Sequence, residues 1–314
     1  MSSDAARPRA DTHAGHSHGV SAGADRRYLS VALGLILAFL AFEVVVALLA
    51  DSLVLLADAG HMLSDAIALG AALWAMHLAA KPARGVWTYG FKRAEILSAA
   101  GNGITLVVVA VIITIEAIVR LIHPPDVAGG PVLAVALVGV AVNLAATWVL
   151  ARANRNSLNV EGAFQHILTD LYAFAGTAVA GVVILLTGFR RADAIASLVV
   201  VALMLWAGYH LLRDSGRVLL EGAPVDVSLD EVRDHILGLP EVRGVHDLHA
   251  WTVTSDMPAL SAHVVVDEGC FANGTAPQIL DRLQHCLVGH FDVEHSTFQL
   301  EPEHHVSHEA GAHP

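Results

Sequence analysis

Charge is what this chain is short of. Asp, Glu, Lys and Arg make up 15% of its 314 residues, 55% are hydrophobic, and the mean hydropathy is +0.57. So apolar a balance excludes an ordinary soluble domain and points to several membrane spans. Lysine is nearly missing: of 18 basic residues only Lys81 and Lys92 are lysines. That Arg-heavy usage, with abundant Ala, Val and Gly, suits a GC-rich bacterial genome. The 2 cysteines, Cys270 and Cys286, cannot build a disulfide framework and favour a reduced, cytoplasmic setting for the C-terminal part. The first 25 residues contain no apolar run, which excludes a cleaved signal peptide. No HExxH motif occurs, which weighs against a zinc hydrolase.

Histidine, by contrast, is plentiful, with 19 in the chain. Several lie in low-complexity ends. Residues 1–27 read as a disordered tail with His13, His16 and His18 in the run HAGHSHG, and residues 302–314 as a second histidine-rich tail. Such segments are solvated and can hold transition metals loosely. The −12 net charge misleads as a whole-chain figure, because the acidic residues gather toward the soluble end. No nucleic-acid partner is expected.

Between the tails, residues 28–217 read as a six-helix, all-α transmembrane domain. Its apolar segments fall at about 28–50, 53–79, 95–122, 131–153, 161–187 and 194–212, each able to cross a hydrocarbon core of roughly 30 Å. With the N-terminus inside, the inner flanks carry twelve Lys or Arg residues, among them Arg26, Arg27, Lys92 and Arg93. The outer flanks carry Arg120, Arg190 and Arg191. Both termini are therefore expected in the cytoplasm.

Two of these spans repeat one pattern. His61 is followed four residues later by Asp65 in DAGHMLSDA, and His166 by Asp170 in GAFQHILTDLY. On a helix that spacing returns to nearly the same face, about 40° off, so each pair can converge on one point. Ionisable side chains inside a span are costly and mark substrate or ion pathways. Two imidazoles and two carboxylates make a full tetrahedral shell for a divalent metal such as zinc. Asp58 lies on the same stripe as His61 and Asp65. The single polar residues Glu43, Asn102 and Asn143 read as interhelical hydrogen-bonding or cavity-lining groups rather than ligands.

Residues 218–301 read as a small α+β domain of order αββαβ. Ser228 is placed to cap a helix carrying Leu229, Val232, Ile236 and Leu239. The runs GVHDLHAWTV and ALSAHVVVD are strand-like, a second helix spans roughly 275–290, and STFQLE forms the last strand.

The runs SLVLLADAGHMLSDA, TYGFKRAEIL, NVEGAFQHILTD and RDSGRVLLEGAP, with VHDLHAW and SAHVVV, resemble the cation diffusion facilitator family, above all its zinc-transporting branch. The resemblance covers residues 28–301. It implies six transmembrane helices, a cytoplasmic ferredoxin-like domain, a homodimer, and export of divalent metal from the cytoplasm in exchange for protons. Carried over residue by residue, it implies a transport site at His61, Asp65, His166 and Asp170, the residues the spacing selects. His61, where broader-range members have Asp, suggests a zinc preference. It also implies a cytoplasmic metal site at His246, His263 and Glu301, with Gln299 standing where some members have histidine. The loop VWTYGFKRAE has no histidine, so a further family site there is not expected.

The chemistry fits a zinc/proton antiporter of the bacterial inner membrane. Neutral imidazole and ionised carboxylate bind zinc, and protons compete for both. Zn²⁺ is then the transported substrate and a ligand of the cytoplasmic domain. An enzyme is not expected, since four protein ligands leave no open coordination position. The remaining alternatives are an exporter of cobalt, cadmium or another transition metal, and a membrane metal sensor without flux.

Overall fold

A computed structural model describes residues 22–49, 53–124, 129–291, 293, 295–306 and 308. Six long helices come first: α1 (Ala22–Leu49), α2 (Leu53–Ala79), α3 (Ala94–Ile122), α4 (Gly129–Leu150), α5 (Leu158–Thr187) and α6 (Ala192–Leu219). All six contain stretches long and apolar enough to cross a membrane. Their outward side chains are apolar too: Leu48, Ile67, Trp74, Ile115 and Trp206 are all exposed, as suits helices bathed in lipid. Two boundaries differ from the sequence expectation. Helix α1 starts inside the stretch read as tail, and α6 runs past 212 to Leu219, because Leu211, Ser215 and Val218 keep a buried helical stripe going.

Helices α1, α2, α4 and α5 share two apolar cores stacked along the bundle. One joins Leu29, Leu69, Met76, Leu150, Phe164 and Ile167; the other joins Ile36, Phe39, Met62, Val135 and Phe174. Helices α3 and α6 form a flanking pair. A Cβ on Gly208 would meet the Gly103 carbonyl oxygen at 3.2 Å, and one on Gly103 would meet Leu212 Cγ at 2.8 Å. Glycine at both positions is what lets these backbones come so close.

The C-terminal domain follows as α7 (Leu229–Leu237), β1 (Val242–Thr252), β2 (Pro258–Val266), the single turn α8 (Gly269–Ala272), α9 (Ala276–Phe291), β3 (His295–Pro302) and the single turn α10 (Glu303–Val306). The expected αββαβ order is present, with α8 and α10 added. Ser228 caps α7, its Oγ accepting from the Glu231 amide at 3.3 Å. The sheet order is β1-β2-β3: β1 and β2 are antiparallel, while β2 and β3 are parallel across the α8–α9 crossover. Val232, Ile236, Ile279, Leu283 and Leu287 of the helices pack with Val245, Leu260 and Val264 of the sheet. One sheet face is thereby filled, and alternation turns His246, His263, Gln299 and Glu301 to the other. Cys270 and Cys286 are both free thiols.

Candidate metal centres

Each HxxxD pair sits on one of two antiparallel helices, α2 and α5. His166 Nε2 hydrogen-bonds Asp65 Oδ1 at 2.8 Å across their interface. Seven residues further along α2 and seven back along α5, Asn159 Nδ2 donates to the Ala72 carbonyl at 2.9 Å. Two such ties at matched spacing fix the antiparallel register and so the height of the site. Asp65, His166 and Asp170 are all buried, and each offers a ligand atom within 4.8 Å of the other two. Among the described residues, Asp65 Oδ2 and His166 Nδ1 meet no hydrogen-bond partner. Buried polar atoms normally find one. Buried lone pairs without a donor, inside an apolar bundle, are what a site for a transient cation requires.

His61 lies on α2 one helical turn before Asp65. Its side chain, like that of Asp58, lies outside the described residues. Three of the four expected transport ligands are thus brought together, and the backbone position of the fourth is one turn away. The lone polar residues behave less uniformly. Asn143 Nδ2 donates at 3.0 Å to Gly139 O of its own helix rather than across an interface, because an amide four residues on reaches its own preceding turn. Asn102 is buried against Gly162 of α5.

The second cluster lies on the outer face of the small sheet. His246 and His263 are directly cross-strand on β1 and β2, their ring centroids 5.1 Å apart. Glu301, on β3 and only 2% exposed, hydrogen-bonds His246 Nε2 through Oε1 and has that oxygen 3.9 Å from His263 Nδ1. The ligand atoms of these three residues also lie within 4.8 Å of one another. A β-bulge between His246 and His249 puts Asp247 at φ +51°, a conformation few non-glycine residues adopt. The bulge turns the Asp247 carboxylate toward His263 Nε2, at 3.9 Å, and His249 Nε2, at 3.2 Å. A carboxylate behind a ligating imidazole fixes its orientation and tautomer. The donor set, two imidazoles and a buried carboxylate, fits zinc or cobalt better than magnesium or calcium.

Sequence reasoning passed over three residues, two beside the soluble-domain cluster and one at the start of α5. Asp247 takes its role from a bulge that no periodicity announces. His305 stands four residues after Glu301 and is folded back beside it only by the single turn α10. Ser255, in the β1–β2 turn, accepts from the Leu158 amide at 3.1 Å and so satisfies the first N–H of α5. Ser157, the residue before that helix, makes no side-chain cap bond itself. The same turn reaches α3, where Thr254 Oγ1 donates to Glu95 Oε2 at 3.4 Å. The soluble domain is thereby docked on the helix that carries His166 and Asp170.

Six apolar helices around a buried imidazole–carboxylate cluster, with a small α+β domain attached, define an integral membrane protein of the cation-handling class. Residues 29–220 match the model of the cation efflux transmembrane domain, and residues 224–303 that of the cation efflux protein cytoplasmic domain. The chain belongs to the cation efflux, or cation diffusion facilitator, family. It is 37% identical over 293 residues to the cadmium, cobalt and zinc/H(+)-K(+) antiporter of Bacillus subtilis (strain 168), covering 93% of each chain. It is 39% identical to the metal cation efflux system protein CzcD of Cupriavidus metallidurans, covering 92% of this chain and 90% of that one. Zinc transporter ZitB of Escherichia coli (strain K12) is also 39% identical, covering 88% of this chain and 87% of its own. A solved structure of the metal-bound C-terminal domain of the CzcD transporter is 39% identical, covers 24% of this chain and 99% of that one, and has a TM-score of 0.22.

Proposed function

We propose that this protein exports divalent metal ions from the cytoplasm, zinc foremost, in exchange for protons. The transport site is His61, Asp65, His166 and Asp170, and the mechanism is alternating access. What carries the reading is the burial of Asp65, His166 and Asp170 together at the α2–α5 interface, ligand atoms within 4.8 Å. The relatives named for zinc, cobalt and cadmium transport support the substrate class. The term H(+) in the name of the Bacillus antiporter supports the proton partner.

Zinc takes neutral imidazole and ionised carboxylate as ligands, so loading from the cytoplasm displaces protons from the site. Facing a more acidic exterior, the same atoms take protons and metal leaves. One set of side chains thus serves both ions, without a separate proton path. Rocking of the helices around the fixed site exposes it to each side in turn. Transport, not catalysis, is the activity of a site whose four protein ligands fill the tetrahedral shell.

The working unit is a homodimer in the bacterial inner membrane, with both termini in the cytoplasm. The transmembrane body spans 28–217, the soluble domain 218–301, and the histidine-rich ends, 1–27 and 302–314, capture metal. His246, His263 and Glu301 hold a regulatory zinc ion in the soluble domain. Regulation requires that metal bind one conformation better than the other.

The test is zinc uptake into proteoliposomes under an imposed pH gradient, comparing the native chain with Asp170→Ala. Gradient-driven flux that the substitution abolishes is the expected result. Flux unaffected by it would place the pathway elsewhere, and tight zinc binding without flux in either chain would make the protein a sensor.

A further inference from the structure

We propose that His305 is a fourth ligand of the cytoplasmic metal site, so that a bound zinc or cobalt ion fastens the histidine-rich C-terminal segment to the sheet. The inference rests on reading His246, His263 and Glu301 as a metal site. Those three donors leave a tetrahedral shell one short, whereas structural zinc sites are closed by four protein ligands. The two oxygens of Glu301 divide the surroundings between them. Oε1 serves the paired histidines of β1 and β2. Oε2 faces the other way, 3.4 Å from Gln299 Nε2 and 3.9 Å from His305 Nε2.

Around zinc, with bonds of roughly 2.0–2.1 Å, adjacent ligand atoms stand about 3.4 Å apart. The 3.9 Å from His305 Nε2 is to Oε2, so the imidazole joins the shell by turning its ring across the carboxylate toward the paired histidines. The single turn α10 begins directly after β3 and folds His305 back beside Glu301, the last buried residue of that strand. The neighbouring His304 points elsewhere: its Nδ1 hydrogen-bonds Glu268 at 2.9 Å and ties the turn to the start of α8. His305 itself is 46% exposed, so its ring can turn inward to take up a metal. An imidazole-rich set with a single carboxylate selects zinc or cobalt over calcium, magnesium and manganese. The C-terminal histidines would then act as more than a loose reservoir, because one of them closes the site.

The test uses the intact chain in nanodiscs carrying Asp170→Ala, which removes the transport site from the measurement. Zinc affinity is read by competition with a chromogenic chelator, and coordination from the visible spectrum of bound cobalt. His305→Ala is expected to raise the zinc Kd at least about tenfold, as loss of even an outer-shell partner does, and to alter the tetrahedral cobalt bands. His305→Cys is expected to keep tight binding and add a thiolate-to-cobalt charge-transfer band, which a merely structural role for this position would not produce. An unchanged Kd and cobalt spectrum in His305→Ala, with no new band in the cysteine variant, overturns the proposal: the fourth ligand is then water or a group of the second protomer. The double variant His246→Ala/His263→Ala is expected to lose the tight zinc site and keep only the loose binding of the histidine-rich ends. Binding equal to the parent there would remove the underlying site and the proposal with it.

Discussion

Gly139 and Phe174 offer a way to disturb the transport site without touching a ligand. A Cβ at position 139 of α4 would lie 2.4 Å from Phe174 Cδ1, 2.6 Å from Cε1 and 2.7 Å from Cγ. Carbon atoms at rest stand about 3.5–4.0 Å apart, so in Gly139→Ala the ring must retreat by roughly 1 Å. It cannot swing freely, because Phe174 is buried and packs edge-on against Phe39 at 5.8 Å. The strain passes instead into α5, where Asp170 lies one turn away. A shift of that helix by about 1 Å would stretch the 2.8 Å bond between His166 and Asp65 beyond hydrogen-bonding range. Overpacking of this kind costs about 1–3 kcal/mol, and each kcal/mol lowers the melting temperature by about 2–4 °C for a domain of this size. The assay is thermal unfolding of the purified protein with and without zinc, beside zinc flux in proteoliposomes. The expected result is a lower melting point, a smaller zinc-induced rise and slower flux. Adding Phe174→Leu should recover part of the loss, since it removes Cε1 and lets the smaller branch rotate away from position 139. A native melting point and native zinc response in Gly139→Ala would refute the reasoning. So would a Phe174→Leu change that merely adds its own cost on top.

Other expectations follow from single contacts. Asp65→Asn keeps the shape and a hydrogen bond to His166 but removes the anionic donor; zinc affinity at the transport site, read from the zinc-induced melting shift, should fall by at least about 10–100-fold while the apo melting point changes little. In the soluble domain, Arg243 donates from Nε and Nη2 to Asp267 at 2.7 and 2.8 Å, and this holds the Asp267 carboxyl below its usual range. A lowered native pKa contributes stability above the unfolded value near 3.9, lost as pH falls through the native value. Amide exchange of β1 and β2 in Arg243→Ala should therefore be faster than native at neutral pH, with the difference vanishing toward strong acid; a gap persisting there would point to packing instead. Ser255→Ala leaves the first N–H of α5 without its acceptor, at about 1 kcal/mol, and should speed exchange at Leu158 without altering α7. Equal exchange at Leu158 in both chains would mean that the cap does not hold the two domains together.

The membrane half was legible because lipid imposes one rule on every residue. A span must be apolar on its outer face, so Asp65, His166 and Asp170 stand out against Ala and Leu, and four-residue spacing places each pair on one face. The same rule fixes the helix ends only loosely: α6 continues to Leu219 beyond the apolar run, on a buried stripe that run length does not register. Spacing also says nothing of height. That comes from Asn159 reaching Ala72, a buried amide that reads in sequence as any polar residue near a helix start.

The soluble half was legible as an order of elements, since period-two runs and the Ser228 cap are local signals. Its chemistry was legible only in part, and for a different reason. His246 and His263 face each other because hairpin register sets them opposite, and alternation alone allows that pairing. Asp247, Ser255 and His305 act from a bulge, a turn and a single helical turn, where no repeat ties a residue type to a direction. Ser255 is also where the domain meets the membrane helix α5. The contacts that join the two halves are therefore made by the residues with the weakest local signal. Strands β1 and β2 carry His246 and His263 in their bodies and end in the turn that caps α5. The hairpin that sets His246 opposite His263 thus also reaches the first turn of the helix bearing His166 and Asp170.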